Sequence, residues 1–202
     1  TEQVPVHVQR RSLQQSFPCS PEYRSPSRMI KRMVVRRFKV YLKGYEEKFN
    51  RVMLIKDDFS LKEIGTMMLV CLGAEFEHSF SIVDEDGVEY TSKENDYKKF
   101  NLYNINVKKT LSFVIKYGDK DPYEFVVKME KDPFSKSGRK VAYVESGVGE
   151  SLWENEKSLL IDYINGKEVD KKDKEDFDQK LNLSFYNQYL IYNFTAIINE
   201  IK

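Results

Sequence analysis

His78 is the one histidine set in an apolar, strand-like run, and a Ser-His-Asp arrangement in this chain would have to use it, because His7 lies in a Pro- and Arg-rich N-terminal stretch. An imidazole changes charge near neutral pH and works as an acid or base when a carboxylate orients it. Asp119 and Glu124 are the candidate partners. The usual mechanistic signatures are missing: the sequence has no P-loop, GxGxxG, GxSxG, HExxH or CxxC. Two histidines are too few for a His-rich metal centre, and Asp84-Glu85-Asp86 reads as a turn because no further ligand follows at the spacing of a calcium loop. No catalytic residue, metal or cofactor is assigned, and an enzyme ranks behind a binding function.

A second group is more informative. In Val144-Glu145-Ser146-Gly147-Val148-Gly149-Glu150-Ser151-Leu152-Trp153-Glu154-Asn155, two glycines give the backbone unusual freedom, and the only Trp stands next to a carboxylate and an amide. Two readings stand: a glycine-shaped loop anchored by a buried Trp, or a surface for a ligand or partner. Joined by Tyr117 and Asp119 from the strongest hairpin, the surface reading comprises Tyr117, Asp119, Gly147, Gly149, Trp153, Glu154 and Asn155.

These groups need a scaffold, and the periodicity supplies one. Phe38, Val40 and Leu42 alternate with polar neighbours over 33–43, Gly44 turns the chain, and Phe49, Arg51, Met53 and Ile55 share one face of a second strand. Ser60 and Glu63 have capping-box spacing ahead of a helix over 61–72 that stops at Gly73. A strand over 76–83 turns at Asp86-Gly87, and residues 91–109 are weakly patterned. Strands over 111–117 and 123–130 flank a Gly118–Pro122 turn. A polar loop over 131–151, a helix over 152–164 stopped by Gly166, a solvated charge run over 167–178 and a last helix over 182–201 complete the expectation. Mixed elements without βαβ alternation define an α+β fold, an antiparallel or mixed sheet built from hairpins and packed on two to three helices.

Composition divides the chain. With 41% hydrophobic and 13% aromatic residues there is ample material for one core without disulfides. Residues 1–37 carry eight Lys or Arg against Glu2 and Glu22, which leaves 25 basic and 30 acidic residues for the remainder. Residues 1–32 form a basic, disorder-prone arm, and 33–202 a single domain. The arm, through Arg10, Arg11, Arg24, Arg28, Lys31 and Arg32, reads as a nucleic-acid or partner contact, a transit-like leader, or an inert upstream extension, with Met29 and Met33 just ahead of the first strand. Cys71 sits in an apolar run as a small buried hydrophobe and Cys19 in the arm, which implies a reducing, cytoplasmic setting; no stretch is long and apolar enough to span a bilayer, so no membrane partner is expected.

The order of segments resembles the plasmid Ri ORF-three-like family, the passenger or TnpR-like proteins of insertion elements, over about residues 36–200. The resemblance rests on Tyr41-Leu42-Lys43-Gly44, Phe49-Asn50-Arg51, Ser60-Leu61-Lys62-Glu63-Ile64 to Leu72-Gly73, His78-Ser79-Phe80 and Tyr117-Gly118-Asp119. It continues through Gly147-Val148-Gly149 to Trp153-Glu154-Asn155, and Asp176-Phe177-Asp178 before a helix. The chain departs from the family at Ala74 and Phe76, where a Trp and a second His are usual, and at Asp121-Pro122-Tyr123, where the Gly-Asp motif runs on to Trp and His. It also lacks the Cys residues that some members carry near the Gly-x-Gly loop. The resemblance implies a compact α+β fold and an association with plasmids and transposable elements. It lends the resolvase label nothing, since neither an Arg-rich pocket around a nucleophilic Ser nor a helix-turn-helix is visible. The leading expectation is a binding or adaptor domain for an unknown protein or small ligand. A nucleic-acid-associated protein using its arm stands second, and an enzyme using His78 with a carboxylate third.

Overall fold

Alternating apolar side chains build the first hairpin of the computed structural model, which describes residues 34–131 and 142–169. Strand β1 (Val35–Leu42) runs antiparallel to β2 (Asn50–Lys56), with Phe38 opposite Met53 and Val40 opposite Arg51. All four of these side chains are fully buried. Ser60 caps α1 (Leu61–Leu72) by accepting from the Glu63 N–H, while the Glu63 carboxylate accepts from the Ser60 N–H at 2.7 Å. Two further donors of the first turn find carbonyls in the 91–109 segment, Leu61 N–H on Phe100 and Lys62 N–H on Tyr97. Every residue of α1 except Glu63 is buried, as a helix apolar on all sides requires.

The sheet continues through β3 (Phe80–Val83), β4 (Glu89–Tyr90), β5 (Ser112–Tyr117), β6 (Tyr123–Met129) and β7 (Ala142–Val148), and α2 (Lys157–Ile164) follows. Its seven strands lie in the order β4-β3-β5-β6-β1-β2-β7 with every neighbouring pair antiparallel, so the fold is α+β and the sheet open. The chain divides into Thr1–Arg32 and Met33–Lys202. The basic arm with its six named cations, Cys19, most of the charge run and the helix expected over 182–201 lie outside the described residues. Among the described residues, no helix is long and apolar enough to cross a membrane.

Three boundaries differ from the sequence reading. The strand expected from Phe76 begins at Phe80, because Phe76 takes a left-handed φ of +62°, which no strand accommodates. The polar loop expected over 131–151 contains β7, in which Ala142 and Val144 face inward and Tyr143 and Glu145 outward; two buried residues made too short a pattern to stand out. The helix expected from Leu152 starts at Lys157, since Leu152 and Trp153 are spent on the core and Asn155 sits at φ +62°. The weakly patterned 91–109 stretch is structural, burying Tyr97, Leu102, Ile105 and Val107. Cys71 is a buried, free thiol, and burial pushes its pKa up to about 12.

Arg51 is the most deeply buried charged side chain among the described residues. It is wholly buried and donates to four backbone carbonyls: Cys71 at 2.8 Å, Asn50 at 2.8 Å, Val148 at 2.9 Å and Glu150 at 2.7 Å. The Cys71 carbonyl belongs to the C-terminal turn of α1, where helix carbonyls are left without intrahelical partners and a positive charge is favoured.

Candidate functional site

Strand register assembles the site. Phe80 pairs with Tyr117 across β3 and β5, and the Gly118 N–H donates to the Ser79 carbonyl, so His78 falls beside Asp119 at the start of the next turn. The third contributor, residues 151–155, is tied to the end of α1 by the Leu152 N–H on the Leu72 carbonyl at 2.7 Å. The Tyr123 hydroxyl ties it to β6 by donating to the Trp153 carbonyl at 2.7 Å. Trp153 is fully buried against Tyr163, with ring centroids 5.6 Å apart. The buried side chain thus fixes its two polar neighbours, Glu154 and Asn155, at the surface.

His78 is held from both sides. Nδ1 lies 3.1 Å from an Asp119 carboxylate oxygen and Nε2 lies 2.5 Å from Asn155 Oδ1. The Asn155 amide donates to Glu77 at 2.8 Å, which turns its oxygen toward the imidazole. Both partners of the ring are therefore acceptors, an arrangement that favours the protonated imidazole, whose two nitrogens both donate. The hydrogen bond to Asn155, followed by that to Asp119, raises the His78 pKa above its ordinary value. A raised pKa contributes stability in full below the unfolded value near about 6.5, and that contribution is lost as pH rises through the folded value. Asn155→Gly, which keeps the left-handed backbone while removing the amide, is expected to lower the His78 pKa; NMR titration of the imidazole checks this, and an unchanged pKa would refute the assignment.

Beneath the histidine, one Glu154 oxygen accepts from the Tyr117 hydroxyl at 2.6 Å and from the Glu75 N–H at 2.8 Å. Its other carboxylate oxygen, Oε2, is buried and has no hydrogen-bond partner among the described residues. Burial, and then the neighbouring Glu154, raise the Tyr117 pKa, so the phenol stays a donor. His78, Tyr117, Asp119, Glu154, Asn155 and Lys157 line a cavity of about 400 Å³. The Lys157 ammonium closes one side, bound to Asp121 at 2.7 Å and to the Pro122 carbonyl at 2.9 Å.

The structure thus brings together Tyr117, Asp119, Glu154 and Asn155 of the surface expected from sequence and adds His78 to them. It separates the rest. Trp153 supports the pocket from the core and does not line it. Gly147 lies in β7 opposite Arg51, away from the pocket lining. Gly149 is a turn residue at φ +88°, where a Cβ would come within 2.7 Å of the Lys48 carbonyl oxygen. Gly149→Ala is therefore expected to lose more than the roughly 1–2 kcal/mol of a left-handed L-residue, read as a lower denaturation midpoint; an unchanged midpoint would contradict the contact. Glu124 is not a partner of His78, since its carboxylate pairs with Lys43 across the adjacent strand end. Glu77, Tyr123 and Lys157 were not flagged by sequence, and only the proximity of Glu77 to His78 carried a signal.

No family model matches the chain. A 60-residue stretch is 38% identical to Protein PXR1 of Lodderomyces elongisporus; it covers 29% of this chain and only 17% of that protein. Among solved structures, the chain is similar to the crystal structure of a protein of unknown function, MM3350, from Methanosarcina mazei Go1. The TM-score is 0.60 at 15% identity, covering 76% of this chain and 97% of that one. At that identity the likeness is one of fold.

Proposed function

We propose that the chain is a binding domain whose pocket takes a ligand, or a side chain of a partner, that presents a positive charge to Glu154. The observation that carries this reading is the buried Glu154 oxygen, without a partner among the described residues, beside a cavity bordered by His78, Asp119 and Asn155. An isolated buried carboxylate oxygen is costly, and an incoming cation or donor offsets that cost. Phe76 supports the same reading: a bulky residue at φ +62° two positions before His78 is the backbone strain that clusters at functional sites. The association with mobile genetic elements, drawn from the resemblance to the plasmid Ri ORF-three-like family, and the adaptor role belong to this proposal as its biological setting.

The test is a fragment titration of the full chain followed by amide NMR, with primary amines, guanidines and neutral amides as probes. Cationic fragments are expected to shift the resonances of Tyr117, Asp119 and Asn155, and Glu154→Gln to abolish those shifts. Neutral and cationic fragments acting alike, or shifts that survive Glu154→Gln, would end the proposal. The enzymatic alternative is favoured by one observation, the 3.1 Å contact of His78 with Asp119. Both imidazole nitrogens are occupied by acceptors, so a substrate would have to displace Asn155 before His78 could exchange a proton with it.

A further inference from the structure

We infer that the cation the pocket is built for is a divalent first-row transition metal, of which zinc is the leading case, held by His78, Glu77 and Glu154. The inference rests on the pocket reading above and names its ligand class. Glu77 and Glu154 are 77 positions apart and come together with His78 only through the fold, so their spacing carries no metal signature. One ligand atom from each of the three residues lies within 4.8 Å of the other two. A tetrahedral ion bound at about 2.0–2.2 Å needs these atoms somewhat closer, a shift within reach of the exposed Glu77 side chain.

Two further observations point the same way. The buried Glu154 oxygen that no donor among the described residues reaches is available as a ligand atom. Asp119 sits on Nδ1 of His78, the position from which a carboxylate orients a metal-bound imidazole while Nε2 faces the ion. What now occupies Nε2 is Asn155, itself hydrogen-bonded to Glu77. The amide therefore bridges two of the three proposed ligands and is the group an ion displaces, with one imidazole proton passing to solvent. A mixed imidazole–carboxylate set suits zinc and its neighbours better than the all-oxygen shells of magnesium or calcium. Three protein ligands would leave a coordination position open toward the cavity.

The experiment uses the full chain freed of metal with a chelator and titrated with cobalt, whose visible absorption reports coordination geometry, then with zinc in competition. One saturating equivalent is expected, weakened about tenfold or more in His78→Gln, in Glu154→Gln and in the exposed-site variant Glu77→Gln, which leaves the core untouched. Asp119→Asn, acting through His78, is expected to weaken binding by about 10–100-fold and to perturb the cobalt spectrum without removing it. Absence of saturable binding, or wild-type affinity in the Glu77→Gln and His78→Gln variants, overturns the inference. The organic-cation titration of the same variants separates the two proposals. If amines still reach Glu154 while cobalt does not bind, the metal alone is refuted; if neither binds, the pocket reading falls as well.

Discussion

Arg51→Met is expected to lower folding stability by about 3–5 kcal/mol, the balance between several buried carbonyls left without their donor and the relief of no longer burying a charge. The guanidinium stands in the core with no exposed surface and ends on four carbonyls from three parts of the chain: its own strand, the last turn of α1, and the Val148–Glu150 segment. Each buried carbonyl left without a donor costs about 1–3 kcal/mol. Methionine fills similar space and relieves the burial of a charge, which offsets part of the sum. Arg51→Lys is expected to recover little, because an ammonium on a flexible stem cannot span carbonyls arranged for a planar fork. Chemical denaturation of wild type and both variants decides the matter; a loss under about 1 kcal/mol for Arg51→Met would mean that water or rearranged backbone satisfies the carbonyls.

The same residue shows where reading the sequence succeeds and stops. Alternation placed Arg51 on the inward face with Phe49, Met53 and Ile55, and all four are buried. Period-two patterning reports the face, however, and says nothing of what a charge does on reaching it. The capping box at Ser60 and the glycine stop at Gly73 were legible because both depend on contacts within a few residues. Strand β7 was not, since its place is set by pairing with β2 almost a hundred positions earlier and only two of its side chains are buried. The site divides along the same line. His78, Tyr117, Asp119, Glu154 and Asn155 were singled out by type, but their meeting depends on β3–β5 register and on the clamp between Leu72 and Leu152. Glu124 looked equivalent to Asp119 as a partner for His78, and side-chain direction and strand end decide between them.

Trp153→Ala is expected to cost about 3–5 kcal/mol, the range for emptying the volume of a fully buried large aromatic, and to remove binding in the pocket along with it. The indole has no exposed surface, packs on Tyr163, and its residue anchors the main chain through the Tyr123 hydroxyl. Loss of binding alone would not separate a core role from a contact role, which is why Trp153→Phe matters. Phenylalanine keeps most of the apolar volume and the backbone carbonyl that Tyr123 uses, so it is expected to fold with a smaller loss and to retain the raised His78 pKa. If the indole contacted ligand directly, Trp153→Phe would fold normally and still bind poorly, and Trp153→Ala would leave the denaturation midpoint unchanged. The buried geometry predicts the reverse order: stability falls with the volume removed, and ligand affinity follows only as Glu154 and Asn155 lose the support that aims them at His78.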